Sequence, residues 1–135
     1  MEGLRILIVD DEFELVSALE ERLNLRGFQA KGVTTGVDAL EHLESVGCDV
    51  VLLDVRMPGL GGLELMGKIK EKHPTLPVVL LTGHGSPEDA DNGMQLGAFD
   101  YLQKPVKIVE LVKILLAAAA TGNEGHGFGQ EKEDD

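Results

Sequence analysis

Cysteine is nearly missing from the 135-residue chain: Cys48 stands alone. A single thiol rules out an internal disulfide and a zinc cluster, which suits a reducing compartment such as the cytoplasm. Cys48 itself reads as a small apolar core residue. Positive charge is also scarce, with 12 Lys and Arg against 24 Asp and Glu and a net charge of −12. That balance repels nucleic-acid phosphates, so direct DNA or RNA binding is not expected, whereas cationic protein surfaces and metal ions fit. Long apolar runs are missing as well. No uncharged stretch approaches the roughly 18 residues a membrane span requires, and "MEGLRILIVDDE" lacks both the basic start and the apolar length of a signal peptide. Neither a membrane anchor nor export is expected.

What the chain does have is a regular alternation of short continuous apolar runs with longer segments whose apolar residues recur every three or four positions. The runs 4–10, 28–33, 48–55, 76–82 and 98–103 read as strands. Between them lie helical patterns. Leu15, Leu19 and Leu23, with Val16 and Ala18, form the first stripe, which stops at Gly27. Thr35 and Asp38 resemble a capping box for a second helix, with Val37, Leu40 and Leu43 on one side and Gly47 closing it. A third helix is expected from Gly62 to Lys72, before Pro74. Ser86, Pro87 and Asp89 supply an N-cap, a first-turn proline and an N3 acid for a fourth, which ends at Gly97. Gly93 inside it weakens the helix relative to alanine and marks it as a candidate mobile element. A fifth helix is expected over 106–120, with Val109, Val112 and Leu116 on its buried line.

Five strand–helix units require right-handed crossovers, hence an α/β, doubly wound (βα)5 sandwich with a parallel sheet in the flavodoxin-like order 2-1-3-4-5. Residues 1–120 form this single domain. Residues 121–135, rich in glycine and acid, read as a disordered tail.

In an open parallel sheet, ligands bind at the carboxyl ends of the strands. There the sequence places Asp10 and Asp11, Asp54, Thr82, and Gln103 with Lys104, all on one rim. Taken singly, each has a plainer reading. Asp54 resembles a turn former; Asp11 and Glu12 resemble helix-start acids; Thr82 resembles a strand residue or cap; Lys104 resembles a surface charge. Together they point to a site. Two carboxylates about 4 Å apart repel by roughly 4 kcal/mol at an effective dielectric near 20, so three of them demand a cation beyond Lys104. Oxygen ligands on a hydrated rim favour a hard ion, Mg2+ or alternatively Mn2+.

"ILIVDDE", "VVLLDVRMPGLGGLEL", "PVVLLTGHGS" and "GAFDYLQKP" are similar to successive signature blocks of the receiver domains of bacterial two-component response regulators, over roughly residues 4–120. The resemblance, closest to stand-alone chemotaxis-type receivers, implies that Asp54 is the phosphoacceptor. It implies that Asp10, Asp11, Asp54 and the backbone carbonyl of Arg56 hold Mg2+, and that Thr82, Gly83 and Lys104 contact the phosphoryl group. It further implies that Thr82 and Tyr101 switch together and that the Lys104–Pro105 bond is cis. Read without it, Tyr101 is equally an edge-strand aromatic packed on helix 4 or 5, and Met57, Pro58 and Gly59 to Gly62 equally a simple connector. Arg56, His84 and Gln103 flank the site.

The implied partners are a sensor histidine kinase or phosphotransfer protein upstream and a protein target downstream. That target would bind a face of helix 4, strand 5 and helix 5 that includes Lys107 and Tyr101. The chain would be a monomer or weak dimer, with no enzymatic activity beyond Mg2+-dependent self-phosphorylation and self-dephosphorylation. The alternative within the family is a receiver cut from a longer DNA-binding regulator. Two other classes fit poorly. An aspartyl phosphatase wants a second carboxylate two residues past the nucleophile, where Arg56 stands, and a flavin carrier wants hydroxyls and glycines where "DDEFE" follows strand 1.

Overall fold

Continuous β-branched and leucine-rich runs become the inner strands of the sheet in the computed structural model, which describes residues 3–57, 59, 61–83 and 87–124. In chain order the elements are β1 Arg5–Val9, α1 Phe13–Leu25, β2 Gln29–Val33, α2 Gly36–Ser45, β3 Val50–Asp54, α3 Gly62–Lys72, β4 Val78–Thr82, α4 Pro87–Gln95, β5 Asp100–Gln103 and α5 Ile108–Glu124. The sheet order is β2-β1-β3-β4-β5, with every neighbouring pair parallel. This is the flavodoxin-like arrangement expected from the sequence.

The reason for the run composition is visible in the two cores. Ile6, Ile8, Val50, Leu52, Val79 and Leu81 face α1 and α5, while Leu7, Val9, Val51, Leu53, Val78 and Leu80 face α2, α3 and α4. Strands covered on both faces need an apolar residue at every position, and all five residues of β3 and of β4 are buried. The margins differ. Edge strand β2 is satisfied by α1: the Asn24 side chain accepts from the Ala30 N–H at 2.8 Å and donates to its carbonyl at 3.3 Å, and Glu20 accepts from the Gly32 N–H at 2.6 Å. Backbone groups that would otherwise invite another strand are thus occupied.

Several expectations change in detail. Thr35 does cap α2, accepting from the Asp38 N–H at 3.0 Å, but the buried side of that helix is Gly36, Ala39 and Leu43, and Val37 is 68% exposed. In α5 the buried line is Leu111, Leu115, Ala118 and Ala119, while Val109 is 62% exposed and Val112 and Leu116 are half-buried. In both helices the exposed valine sits in the first turn, and small alanines occupy the buried positions instead. Helix α5 also runs four residues past position 120, to Glu124, because Gly122 is buried against Pro77, where a Cβ would lie 2.9 Å from the ring. Residues 125–135 of the expected tail lie outside the described residues, as do the proposed cap Ser86, the flanking His84, and Pro58 and Leu60 of the loop after β3. Cys48 is half-buried rather than enclosed, and burial, with the neighbouring Asp49 charge, pushes its thiol up to about 12. Among the described residues no helix is long and apolar enough to cross a membrane.

Gly93 has a packing role. A Cβ there would collide with Cδ1 of buried Leu80 on β4, so the glycine lets α4 lie close to the sheet.

Candidate functional site

The site is assembled from strand ends. Asp10 follows β1 directly and is fully buried; Asp54 is the last residue of β3, paired in register with Leu81 of β4 and one residue beyond the Val9–Leu53 pair that ends the β1 ladder. Because β1 and β3 are neighbours, Asp10, Asp11 and Asp54 each bring a carboxylate oxygen to within 4.8 Å of one another, with Asp11 the exposed member. Helix α3 starts beneath them. A Cβ on Gly62 would strike the carbonyl oxygens of Asp54 and Val55, so glycine at the helix entrance allows the end of β3 to sit where it does. The Arg56 N–H turns back to donate to Asp54 Oδ1 at 3.3 Å.

Lys104, on the turn after β5, reaches across the rim. Its Nζ lies 2.7 Å from Glu12 Oε1, 2.9 Å from Asp10 Oδ2 and 3.7 Å from Asp54 Oδ2. The Lys104 N–H donates to the Thr82 carbonyl at 2.8 Å, and the Lys104–Pro105 bond is cis. Burial pulls the ammonium's pKa down, but the hydrogen bond to Glu12 and the close charges of Asp10 and Asp54 outweigh this and hold it above the ordinary lysine value. Burial acts the other way on Asp54. Desolvation and the Asp10 charge raise its pKa to about 6, against the opposing pull of Lys104 and the Arg56 N–H, with a further small push from Asp11.

The remaining candidates surround this cluster. The Thr82 side chain is buried, and its Oγ1 donates to the Leu102 carbonyl of β5 at 3.4 Å, long for a hydroxyl bond. A Cβ on Gly83 would meet nothing within 4 Å, so open space lies beside the backbone after Thr82. Tyr101 is 42% exposed on β5, paired in register with Leu80. Gln103 is in register with Thr82. The Arg56 guanidinium leaves the cluster: its Nε donates to Asp89 Oδ2 at 2.7 Å in the first turn of α4.

Two of these links are not visible in the sequence. Glu12, read there as a helix-start acid, is a direct partner of Lys104 across 92 positions, and Arg56 ties the loop after β3 to α4. No periodicity encodes either pairing. The only available signal was the sign of the charge at each strand end.

The donor set fits a hard divalent cation. All ligand atoms are carboxylate oxygens, and buried Asp10 Oδ2 accepts no hydrogen bond: Lys104 Nζ is near it but off the line a hydrogen bond requires. Against the four acids Asp10, Asp11, Glu12 and Asp54, Lys104 is one cation, and a second positive charge would relieve the excess.

Comparisons with known proteins agree with this geometry. Residues 6–116 match the family model of the response regulator receiver domain. Over 110 residues the chain is 41% identical to the DNA-binding transcriptional regulator NtrC of Escherichia coli (strain K12), covering 82% of this chain and 24% of that protein. It therefore spans about a quarter of the length of its NtrC relatives. The crystal structure of the receiver domain of NtrX from Brucella abortus matches with a TM-score of 0.82 and 34% identity, over 86% of this chain and 98% of that one. The longer NtrX in complex with ADP matches with a TM-score of 0.87 and 32% identity, over 92% of this chain and 29% of that one. With a matched family model over most of its length, and three strand-end aspartates and a lysine on one rim, the chain belongs to the response regulator receiver domains.

Proposed function

We propose that this receiver is a phosphorylation-dependent signalling switch whose acceptor is Asp54. The observation that carries the reading is the meeting of Asp10, Asp11 and Asp54 within 4.8 Å, with Lys104 Nζ 3.7 Å from the acceptor oxygen. An Asp54 oxygen attacks the phosphorus of a phosphohistidine on a kinase or phosphotransfer protein; the P–N bond breaks, and a P–O bond forms an acyl phosphate. Such a transfer needs positioning and charge neutralisation more than acid–base chemistry. Asp10, Asp11, Asp54 and the Arg56 carbonyl would hold Mg2+, with Mn2+ as a substitute, and the ion supplies charge neutralisation for the transferring oxygens. Lys104 offers an ammonium 3.7 Å from Asp54 Oδ2, and the backbone N–H of Gly83, a residue with no side chain in the way, offers a neutral donor.

The switch follows from the bond Thr82 makes. Its hydroxyl is held by the Leu102 carbonyl at 3.4 Å, a weak tie that a phosphoryl oxygen on Asp54 outcompetes. Moving the hydroxyl toward Asp54 opens room on the β5 side, where Tyr101 turns inward. The face of α4, β5 and α5 then changes for a downstream protein. The chain turns over no separate substrate; it only takes up and loses its own phosphoryl group. A cytoplasmic site of action and a monomer or weak dimer complete the proposal.

Coverage of the relatives favours a second reading of the context: the same switch as the receiver part of a longer DNA-binding regulator, which is what the name of the Escherichia coli relative says of that protein. Antibody against this chain, applied to an extract of its own cells, separates the two by size. For the chemistry, incubation with a small acyl-phosphate donor and Mg2+, read by intact mass, should add one phosphoryl group that hydroxylamine removes. Asp54→Asn should add none. Phosphorylation of the variant to the wild-type extent would move the acceptor elsewhere.

A further inference from the structure

We propose that Glu12 is a positioning residue that competes with the phosphoryl group for Lys104 and so sets how firmly the phosphorylated state is held. The inference rests on Asp54 being the acceptor. Of the three carboxylates that touch the ammonium, Glu12 is the nearest at 2.7 Å and Asp54 the most distant at 3.7 Å. An ammonium has three N–H donors. Asp10 and Glu12 draw it to the β1 side of the rim, away from the atom that receives phosphorus.

The two nearer acids are not equivalent. Asp10 belongs to the trio whose oxygens converge, so it can exchange its lysine contact for a divalent ion. Glu12 is outside that trio. Its backbone is fixed at the start of α1, where its N–H donates to Asp10 Oδ1 at 2.9 Å, and its side chain, 60% exposed, meets Lys104. When an ion and a phosphoryl group arrive, Asp10 has a new partner and Glu12 still has Lys104. The ammonium is then shared between a glutamate and the new dianion, and the glutamate's share weakens the grip on the acyl phosphate.

Glu12→Gln removes the charge and keeps a carbonyl oxygen at the same reach. The probe is beryllofluoride, a tetrahedral phosphoryl analogue that bonds to a carboxylate, titrated in the presence of Mg2+. Glu12→Gln should bind it about two- to fivefold more tightly than wild type, the range that partly exposed ion pairs span. Glu12→Asp, which keeps the charge on a shorter arm, should fall between the two. A general change in net charge would also tighten an anion, so the same pair is compared in a Lys104→Met background. There the Glu12→Gln gain should vanish.

Equal or weaker binding by Glu12→Gln overturns the proposal, as does a gain that persists undiminished without Lys104. Should Lys104→Met fail to give a cooperative thermal transition, Glu12→Gln is compared instead with Glu14→Gln, which removes the same charge from the first turn of α1 at a residue that no ion pair joins to Lys104. A gain confined to Glu12→Gln then supports the proposal, and an equal gain from Glu14→Gln overturns it. Wild type that ignores beryllofluoride in Mg2+ is a different result, since it removes the acceptor reading and this inference together.

Discussion

Removing the Asp54 charge should make the metal-free protein more stable. The Asp54 side chain is 6% exposed, and its pKa is raised from 3.8 to about 6 by burial first and the Asp10 charge second. A folded-state pKa above the unfolded one means that the folded chain binds the Asp54 proton more tightly. That contribution is fully present below about pH 4, is lost as pH climbs through about 6, and stays lost above. A shift of about two units corresponds to about 3 kcal/mol at 1.36 kcal/mol per unit. Asparagine mimics the protonated carboxyl and can still accept from the Arg56 N–H. In chelator at pH 8, Asp54→Asn should therefore exceed wild type by up to about 3 kcal/mol, which for a domain of this size is roughly 10 °C in melting temperature. At pH 4 the gap should close. Urea and thermal melts followed by circular dichroism measure both ends, and the difference between variant and wild type cancels the other carboxylates. Adding Mg2+ at about 100 times its dissociation constant should restore about 3 kcal/mol to wild type at pH 8, and less to the variant with its smaller ligand set. An Asp54→Asn protein no more stable than wild type in chelator at pH 8, or a gain of the same size at both pH values, would refute the electrostatic account of the cluster.

Gly62→Ala should cost at least about 2 kcal/mol and slow phosphorylation by a small donor, because the new methyl group meets the backbone carbonyls of Asp54 and Val55, which cannot swing away; unaltered melting and phosphorylation would show that α3 yields freely. Gly93→Ala gains about 1 kcal/mol of helix propensity but forces Leu80 aside inside the sheet, so urea denaturation should show a net loss of about 1 kcal/mol rather than a gain. Asn24→Ala frees the Ala30 N–H and carbonyl on edge strand β2. It should lower stability by about 1 kcal/mol and raise the apparent mass in concentration-dependent light scattering; a protein whose scattering matches wild type at all concentrations would count against the edge-sealing role.

The parts of the molecule legible in its sequence are those governed by local pattern. Strands β3 and β4 are continuous apolar runs because both faces of the sheet are covered, and helix α3 runs over the expected Gly62–Lys72 because glycine and a following proline bracket it. The convergence of Asp10, Asp11 and Asp54 was also within reach, since it needs only a strand order and the rule that parallel strands end together. Helix faces were less accessible. Residue size alone points to the large side chains as the buried ones, whereas close helix–sheet contact selects Ala39, Ala118 and Ala119 and leaves Val37 and Val109 outside. The same bias made Gly93 look like a weak point and Gly122 like part of a tail, although each meets a neighbour too near for a side chain. Long-range charge pairing was least accessible. Glu12 with Lys104 and Arg56 with Asp89 are joined by side-chain reach after the backbone is in place, and many acids could have served.

Asp54 closes a strand every residue of which is buried, with neighbours on both flanks, whereas Lys104 hangs from a four-residue strand at the margin. In amide-exchange terms, the peptide groups carrying the acid should open only when the whole molecule unfolds, and those leading to the lysine should open far more often. Asp54 is thus a fixed post. On the proposed reading, adjustment on gaining or losing phosphorus falls to the β5 side, so the rhythm of that margin, rather than of the centre, should pace how fast the two forms interconvert.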